Sequence, residues 1–224
     1  MLKGKIILIT GSSSGIGLAT ARLAKGYGAE VILHGRKDSK ELQNLSKELG
    51  CEYIFCDVAD KSAVNSEVDR ILKKVGRIDV LVNSAGIADG APFLEQTDEL
   101  WTEIFKVNVL GTTHFCQAVI PEMQKNKYGR IINISSIRGI YNTSGGAPYS
   151  ASKAAIANLT ASLAKEFSPQ IIVNAVAPGF TNTPMAKTWD EKRWNQARSS
   201  LIEKPSEPEE IAEVCEVSAC HRQC

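Results

Sequence analysis

Short apolar runs and amphipathic stretches alternate from one end of the chain to the other. Lys5-Ile6-Ile7-Leu8-Ile9-Thr10 has the β-rich character of a strand buried on both faces of a parallel sheet. A helical stretch, Leu18 to Tyr27, follows and stops at Gly28. Further strands are expected at Glu30–His34, Cys51–Cys56, Ile78–Val82, Arg130–Ile134 and Ile171–Val176. Between them, Ala63–Val75 carries apolar residues at 64, 68, 71, 72 and 75, the stripe of a helix with one buried face. Glu99–Met123 reads as one long helical region. Tyr149–Phe167 places Ile156, Leu159, Leu163 and Phe167 on one side of another helix. Strand–helix alternation of this kind predicts an α/β fold, a doubly wound parallel sheet with helices on both faces. No repeat, low-complexity tract or linker divides it, so residues 1–224 are expected to form a single domain.

Composition narrows the classes of function. A net charge of +1 gives no reason to expect a nucleic-acid surface. No apolar run approaches the ~18 residues of a membrane span, and the N-terminal run is too short for a signal peptide. The six cysteines are scattered, and reduced thiols in a cytoplasmic protein are the simplest reading.

The strand ends carry the chemistry. The first runs into Gly11-Ser12-Ser13-Ser14-Gly15-Ile16-Gly17 and then a helix, the context a dinucleotide fingerprint requires. Glycines let the backbone approach a pyrophosphate, and the helix N-terminus offers it N–H groups and positive dipole. The spacing is G-x-x-x-G-x-G, and the competing reading is an ordinary strand–turn–helix connection. Where many such folds place a carboxylate for a ribose hydroxyl, this chain has Gly35-Arg36-Lys37. An arginine clamps a 2′-phosphate, so the sequence favours NADP(H) over NAD; the alternative is a solvated basic turn. His34 is expected to pack at its strand end. Asp57, Asn83-Ser84-Ala85-Gly86, Ser135-Ser136 and Pro178-Gly179 follow the later strands, beyond whose carboxyl ends such sheets bind ligands.

Tyr149 and Lys153 stand four residues apart, on one helix face, with Ser136 thirteen residues before the tyrosine. A neighbouring cation favours a phenolate, so the pair reads as a proton donor tuned toward physiological pH. In isolation the same spacing would describe a solvated helix face.

Together these motifs resemble the short-chain dehydrogenase/reductase family in its single-domain, Rossmann-fold form. Thr10 to Gly17 match its T-G-x-x-x-G-I-G, Asn83 to Gly86 its N-[NS]-A-G, Asn108 its mid-helix asparagine, Ser136 its serine, Tyr149 and Lys153 its Y-x-x-x-K, and Pro178-Gly179 its P-G. The match extends from the first strand to about Ala212. The resemblance implies that Tyr149 protonates a carbonyl oxygen as hydride arrives, and that Ser136 orients that oxygen. Lys153 would lower the tyrosine's pKa and hold the nicotinamide ribose, and Asn108 would position a water on a proton path. Ser135 is the competing serine; the family's serine-to-tyrosine spacing selects Ser136. Cofactor contacts are implied for Gly11, Ser13, Ser14, Gly15, Ile16 and Gly17 in the turn. They extend to Arg36, to Asp57 and Val58, to Asn83, Ala85 and Gly86, and to Pro178, Gly179, Thr181 and Thr183, beside Tyr149 and Lys153.

The implied activity is NADP(H)-dependent hydride transfer between nicotinamide and a carbonyl or secondary alcohol, similar to 3-oxoacyl-[acyl-carrier-protein] reductases. The substrate would be a small or carrier-bound carbonyl. Lys125, Lys127 and Arg130 form a basic cluster for an acidic carrier, or simply a solvated face. Trp189 and Trp194, in the family's specificity loop (roughly 181–200), either line a pocket or pack. The rivals are a non-catalytic NADP-binding sensor and an inactive truncated member.

The C-terminus departs from the family. From about residue 213 the expected apolar helix and glycine-rich seventh strand give way to a sequence ending at Cys224. A truncated or frame-shifted end is the expectation. Cys215, Cys220, His221 and Cys224 match no paired metal knuckle, so no metal is expected. The sixth strand would then be an uncovered edge, with lowered stability and doubt over the homodimer or homotetramer usual for the family.

Overall fold

The computed structural model describes residues 2–141, 146–188, 191, 194–195 and 204–220. Six strands, β1 (Ile6–Thr10), β2 (Glu30–Gly35), β3 (Glu52–Phe55), β4 (Val80–Asn83), β5 (Gly129–Ile134) and β6 (Ile171–Val176), form one sheet. All neighbours pair in parallel, in the order β3-β2-β1-β4-β5-β6. This is the doubly wound arrangement, and its direction of winding reverses between β1 and β4.

Seven helices cover the described part of the sheet: α1 (Gly15–Gly26), α2 (Lys40–Leu49), α3 (Lys61–Val75), α4 (Asp98–Phe105), α5 (Gly111–Lys125), α6 (Ala147–Phe167) and α7 (Pro208–Cys220). Alternate strand residues go to opposite faces. Ile6, Leu8, Leu81, Ile131 and Val173 join α3 and α5 residues in one core cluster, with Leu163 and Phe167 of α6 packed against it. Ile7, Ile9, Val80, Val82, Ile132 and Val176 join α1, α2 and α7 in the other. That double burial is why the strands read as continuous apolar runs.

The expected helix over Glu99–Met123 is interrupted. Lys106–Leu110 forms a π-helical turn between α4 and α5. The threonine hydroxyls of Thr112 and Thr113 donate to the carbonyls of Asn108 and Val109, satisfying oxygens within the widened turn. Such turns gather at functional sites because they re-aim one side chain, and this one carries Asn108.

Residues 213–220 continue α7 along α1, with Cys215 and Ala219 buried. His221 and Cys224 lie outside the described residues, as does Trp189; Trp194 is half-buried. Among the described residues, no helix is long and apolar enough to cross a membrane. None of their His, Cys, Asp and Glu side chains group as a metal site.

Candidate active site

A crevice of about 490 Å³ opens beyond the carboxyl ends of the strands, across the point where the winding reverses. It is large enough for a dinucleotide or a comparable ligand.

One wall is the turn after β1. Gly11 has φ of 63°, and a Cβ there would lie 2.8 Å from the Ala85 Cα. A Cβ on Gly17 would lie 2.5 Å from the Gly11 oxygen. Side chains are excluded at both positions, so the turn folds tightly onto β4 and leaves backbone facing the crevice. That is the cradle a pyrophosphate needs, and Ser13, Ser14, Gly15 and Ile16 line it at the start of α1. Gly17 itself is buried behind the lining and acts through this close packing.

The far wall is formed by residues that follow β2 and β3. Arg36 is exposed and lines the crevice with Asp57 and Val58. The nearest acidic side chain after β2, Asp38, accepts hydrogen bonds from Gln43 and the Tyr53 hydroxyl, 2.8 and 3.3 Å away. Asp57 accepts from the Ala59 N–H at 2.9 Å.

Ala85 and Gly86 line the middle of the crevice. Asn83 does not: it is buried, and its amide donates to the Asn133 Oδ1 at 2.9 Å and the Cys116 Sγ at 3.4 Å. Pro178, Gly179, Thr181 and Thr183 form the opposite rim after β6.

The expected serine, tyrosine and lysine come together at the β5 end. Tyr149 and Lys153 lie one turn apart on α6, and both line the crevice with Ser136. The Lys153 ammonium is 5.7 Å from the Tyr149 ring centroid and donates to the Ile134 carbonyl at 2.7 Å. Burial strips it of water and lowers its pKa to about 8. The two serines part company. Ser135 donates its hydroxyl proton to the Lys153 carbonyl, 2.8 Å away. Ser136 Oγ accepts from the Arg138 N–H at 3.2 Å, which leaves its own O–H to donate toward a ligand.

Asn108 is buried just behind this cluster. Its Oδ1 accepts from the Ile87 N–H, and its Nδ2 donates to the Ile87 carbonyl and Ser152 Oγ, at 2.9, 3.0 and 2.9 Å. A methyl built on Gly86 would sit 3.2 Å from the Asn108 Oδ1 and 3.6 Å from the Lys153 Nζ. The asparagine and the lysine therefore converge on one small space.

Sequence reasoning assigned no role to several supports. Thr10 Oγ1 accepts from the Ser84 and Ala85 N–H groups, both at 3.0 Å, and ties the end of β1 to that of β4. Ser152 donates to the Tyr149 carbonyl at 2.7 Å. Their sequence signal is position alone: Thr10 opens the matched glycine motif, and Ser152 lies between Tyr149 and Lys153. His34 is 2 % exposed and hydrogen-bonded at both ring nitrogens.

The basic cluster expected near β5 is not one surface. Arg130 is buried, with Cζ 5.0 Å from the Tyr128 ring, and Lys125 pairs with Glu122 at 3.1 Å. Lys127 is exposed, at the end of β5 remote from Ser136.

Comparison with known proteins agrees with this geometry. The short chain dehydrogenase family model matches residues 5–194. The 3-oxoacyl-[acyl-carrier-protein] reductase FabG of Thermotoga maritima is 40% identical over 220 residues, covering 95% of this chain and 89% of its own. The ligand-free aldohexose dehydrogenase of Thermoplasma acidophilum superposes with a TM-score of 0.86 at 29% identity, covering 97% of this chain and 88% of its own. The crystal structure of gox2181 gives 0.92 at 29% identity, covering 97% and 89%. Motifs, sheet order and relatives agree that the chain belongs to the short chain dehydrogenase family, as an oxidoreductase that exchanges hydride between a nicotinamide dinucleotide and a carbonyl or alcohol carbon.

Proposed function

We propose that the chain is an NADPH-dependent reductase of 3-oxoacyl substrates, with Tyr149 as the proton donor. One observation carries this reading: Tyr149 and Ser136 line one crevice while the buried Lys153 ammonium lies 5.7 Å from the Tyr149 ring centroid. When bound, the dinucleotide supplies the hydride. Negative charge then grows on the substrate oxygen. The Ser136 O–H and Tyr149 O–H donate to that oxygen and stabilise the charge. The Tyr149 proton completes the alcohol, and the Lys153 cation favours the phenolate left behind. Ser135 anchors the lysine's main chain. Asn108 fixes Ile87 and Ser152 and would hold a water in the space it shares with Lys153, through which the tyrosine is reprotonated.

The cofactor preference rests on Arg36 at the adenosine end, with Asp38 turned away toward Gln43 and Tyr53. The substrate class rests on the FabG relative and on Ile87, Pro184 and Met185, which give the crevice an apolar side suited to an acyl chain.

The test follows NADPH oxidation with a carbonyl panel that includes a 3-oxoacyl thioester. Tyr149→Phe is expected to lose about 10²–10⁴-fold in kcat while keeping NADPH affinity. Binding without turnover by the wild type, or full activity in the variant, would refute the assignment.

A further inference from the structure

His34 lies at the base of the crevice and is absent from the chemistry above. Three hydrogen bonds join this one residue to the turn after β1. The Gly11 N–H donates to the imidazole Nδ1 at 3.1 Å. The Ser12 N–H donates to the His34 carbonyl at 3.1 Å, and the His34 N–H donates to Ser12 Oγ at 2.8 Å. The Ser12 hydroxyl in turn donates a hydrogen bond to the Ile9 carbonyl at 2.8 Å. The other ring nitrogen, Nε2, lies 3.1 Å from the carbonyl of Cys56, the residue before Asp57. The Phe115 ring meets the imidazole edge-on at 5.2 Å.

These partners define the tautomer. Gly11 offers a proton, so Nδ1 must be bare; the Cys56 carbonyl offers none, so Nε2 must carry the hydrogen. Any residue at this position would supply the two main-chain bonds to Ser12. Only the side chain reaches both Gly11 and Cys56. Those two lie at the ends of the strands on either side of β2, one at the turn expected to meet a pyrophosphate and one at the wall expected to meet adenosine.

We infer that the neutral His34 imidazole is a positioning residue of the dinucleotide site, setting the spacing between the Gly11 turn and the Cys56–Asp57 wall. The inference rests on the dinucleotide reading of the crevice. Burial supports it by lowering the ring's pKa to about 4, against the weaker pull of the Asp57 and Glu67 carboxylates, while the neighbouring Cys56 thiol is itself pushed up to about 12. The ring therefore stays an acceptor for Gly11 throughout the neutral range. Glu67 is already paired with Arg70 at 2.8 Å.

Two variants separate the ring's contacts. His34→Asn keeps an acceptor near the Nδ1 position and loses the reach to Cys56; His34→Leu loses both. With NADPH affinity read by fluorescence, the Leu variant is expected to bind about tenfold more weakly and the Asn variant about threefold, as the loss of one or two net hydrogen bonds predicts. Turnover at saturating NADPH should stay within about twofold of wild type. A lowered melting temperature with unchanged affinity would make His34 merely structural and overturn the proposal. If the Leu variant does not fold, wild-type affinity in the Asn variant overturns it. Independently of any ligand, ¹⁵N spectra of the apo protein should show the Nε2–H tautomer of His34 down to about pH 5; an Nδ1–H tautomer sinks the idea. A wild type that binds no dinucleotide would remove the functional reading as well, whereas normal wild-type binding with an unaffected Leu variant removes only this inference.

Discussion

Lys153 carries an electrostatic cost in the described crevice. Its charged form is buried, so its pKa falls from 10.5 to about 8 in the folded chain. Between those values the unfolded chain binds the extra proton. Its contribution to stability is thus fully present above pH 10.5 and is lost as pH falls toward 8. Replacing it with methionine should therefore stabilise the fold at pH 7 relative to pH 10.5 while abolishing reduction. Denaturant unfolding at both pH values checks this, and a variant less stable at pH 7 than at 10.5, relative to wild type, would contradict it. Arg36, by contrast, is exposed at the rim. Arg36→Ala should raise KM for NADPH by about 10–100-fold, the worth of a charge-assisted bond, with NADH changed less than threefold. Equal effects on both would place the arginine outside phosphate recognition.

The elements show where periodicity suffices and where it fails. The five later strands and the helix Tyr149–Phe167 were legible to within a few residues, because a two-sided core imposes apolar runs and stripes. The π turn at Lys106–Leu110 was not, because Val107 and Val109 fit an unbroken helix as well as a bulged one. Only packing of Asn108 against Ile87 and Ser152 selects the bulge. A polar ladder was equally hidden. Asn83 and Asn133 are register partners on β4 and β5, and Asn133 donates to Thr160 Oγ1 on α6 at 2.9 Å. The ladder fastens the tyrosine's helix to the sheet and draws Asn83 away from the cofactor position that its motif implied. Asn133→Leu would leave the Asn83 amide with only the weak Cys116 acceptor and cost about 1–3 kcal/mol, read by urea unfolding. A change under about 0.5 kcal/mol would show that the ladder contributes nothing net.

At the scale of the whole molecule, β6 pairs only with β5 among the described residues, and Asn174 and Ala175 are exposed along it. An open parallel edge invites pairing with another chain. Ala175→Lys should delay heat-induced aggregation, followed by light scattering, without moving NADPH affinity; unchanged aggregation would show that the edge is not the nucleus. The sequence by itself determined the alternation of strands and helices, the glycine turn, and the order of serine, tyrosine and lysine, because each is a local pattern of burial, backbone freedom or spacing. Only the tertiary structure decided which serine keeps a proton to give, that Arg130 is buried, and that His34 bridges two strand ends. Those outcomes depend on partners 18 to 22 residues away and more, and a hydrogen bond across that distance leaves no period in the chain.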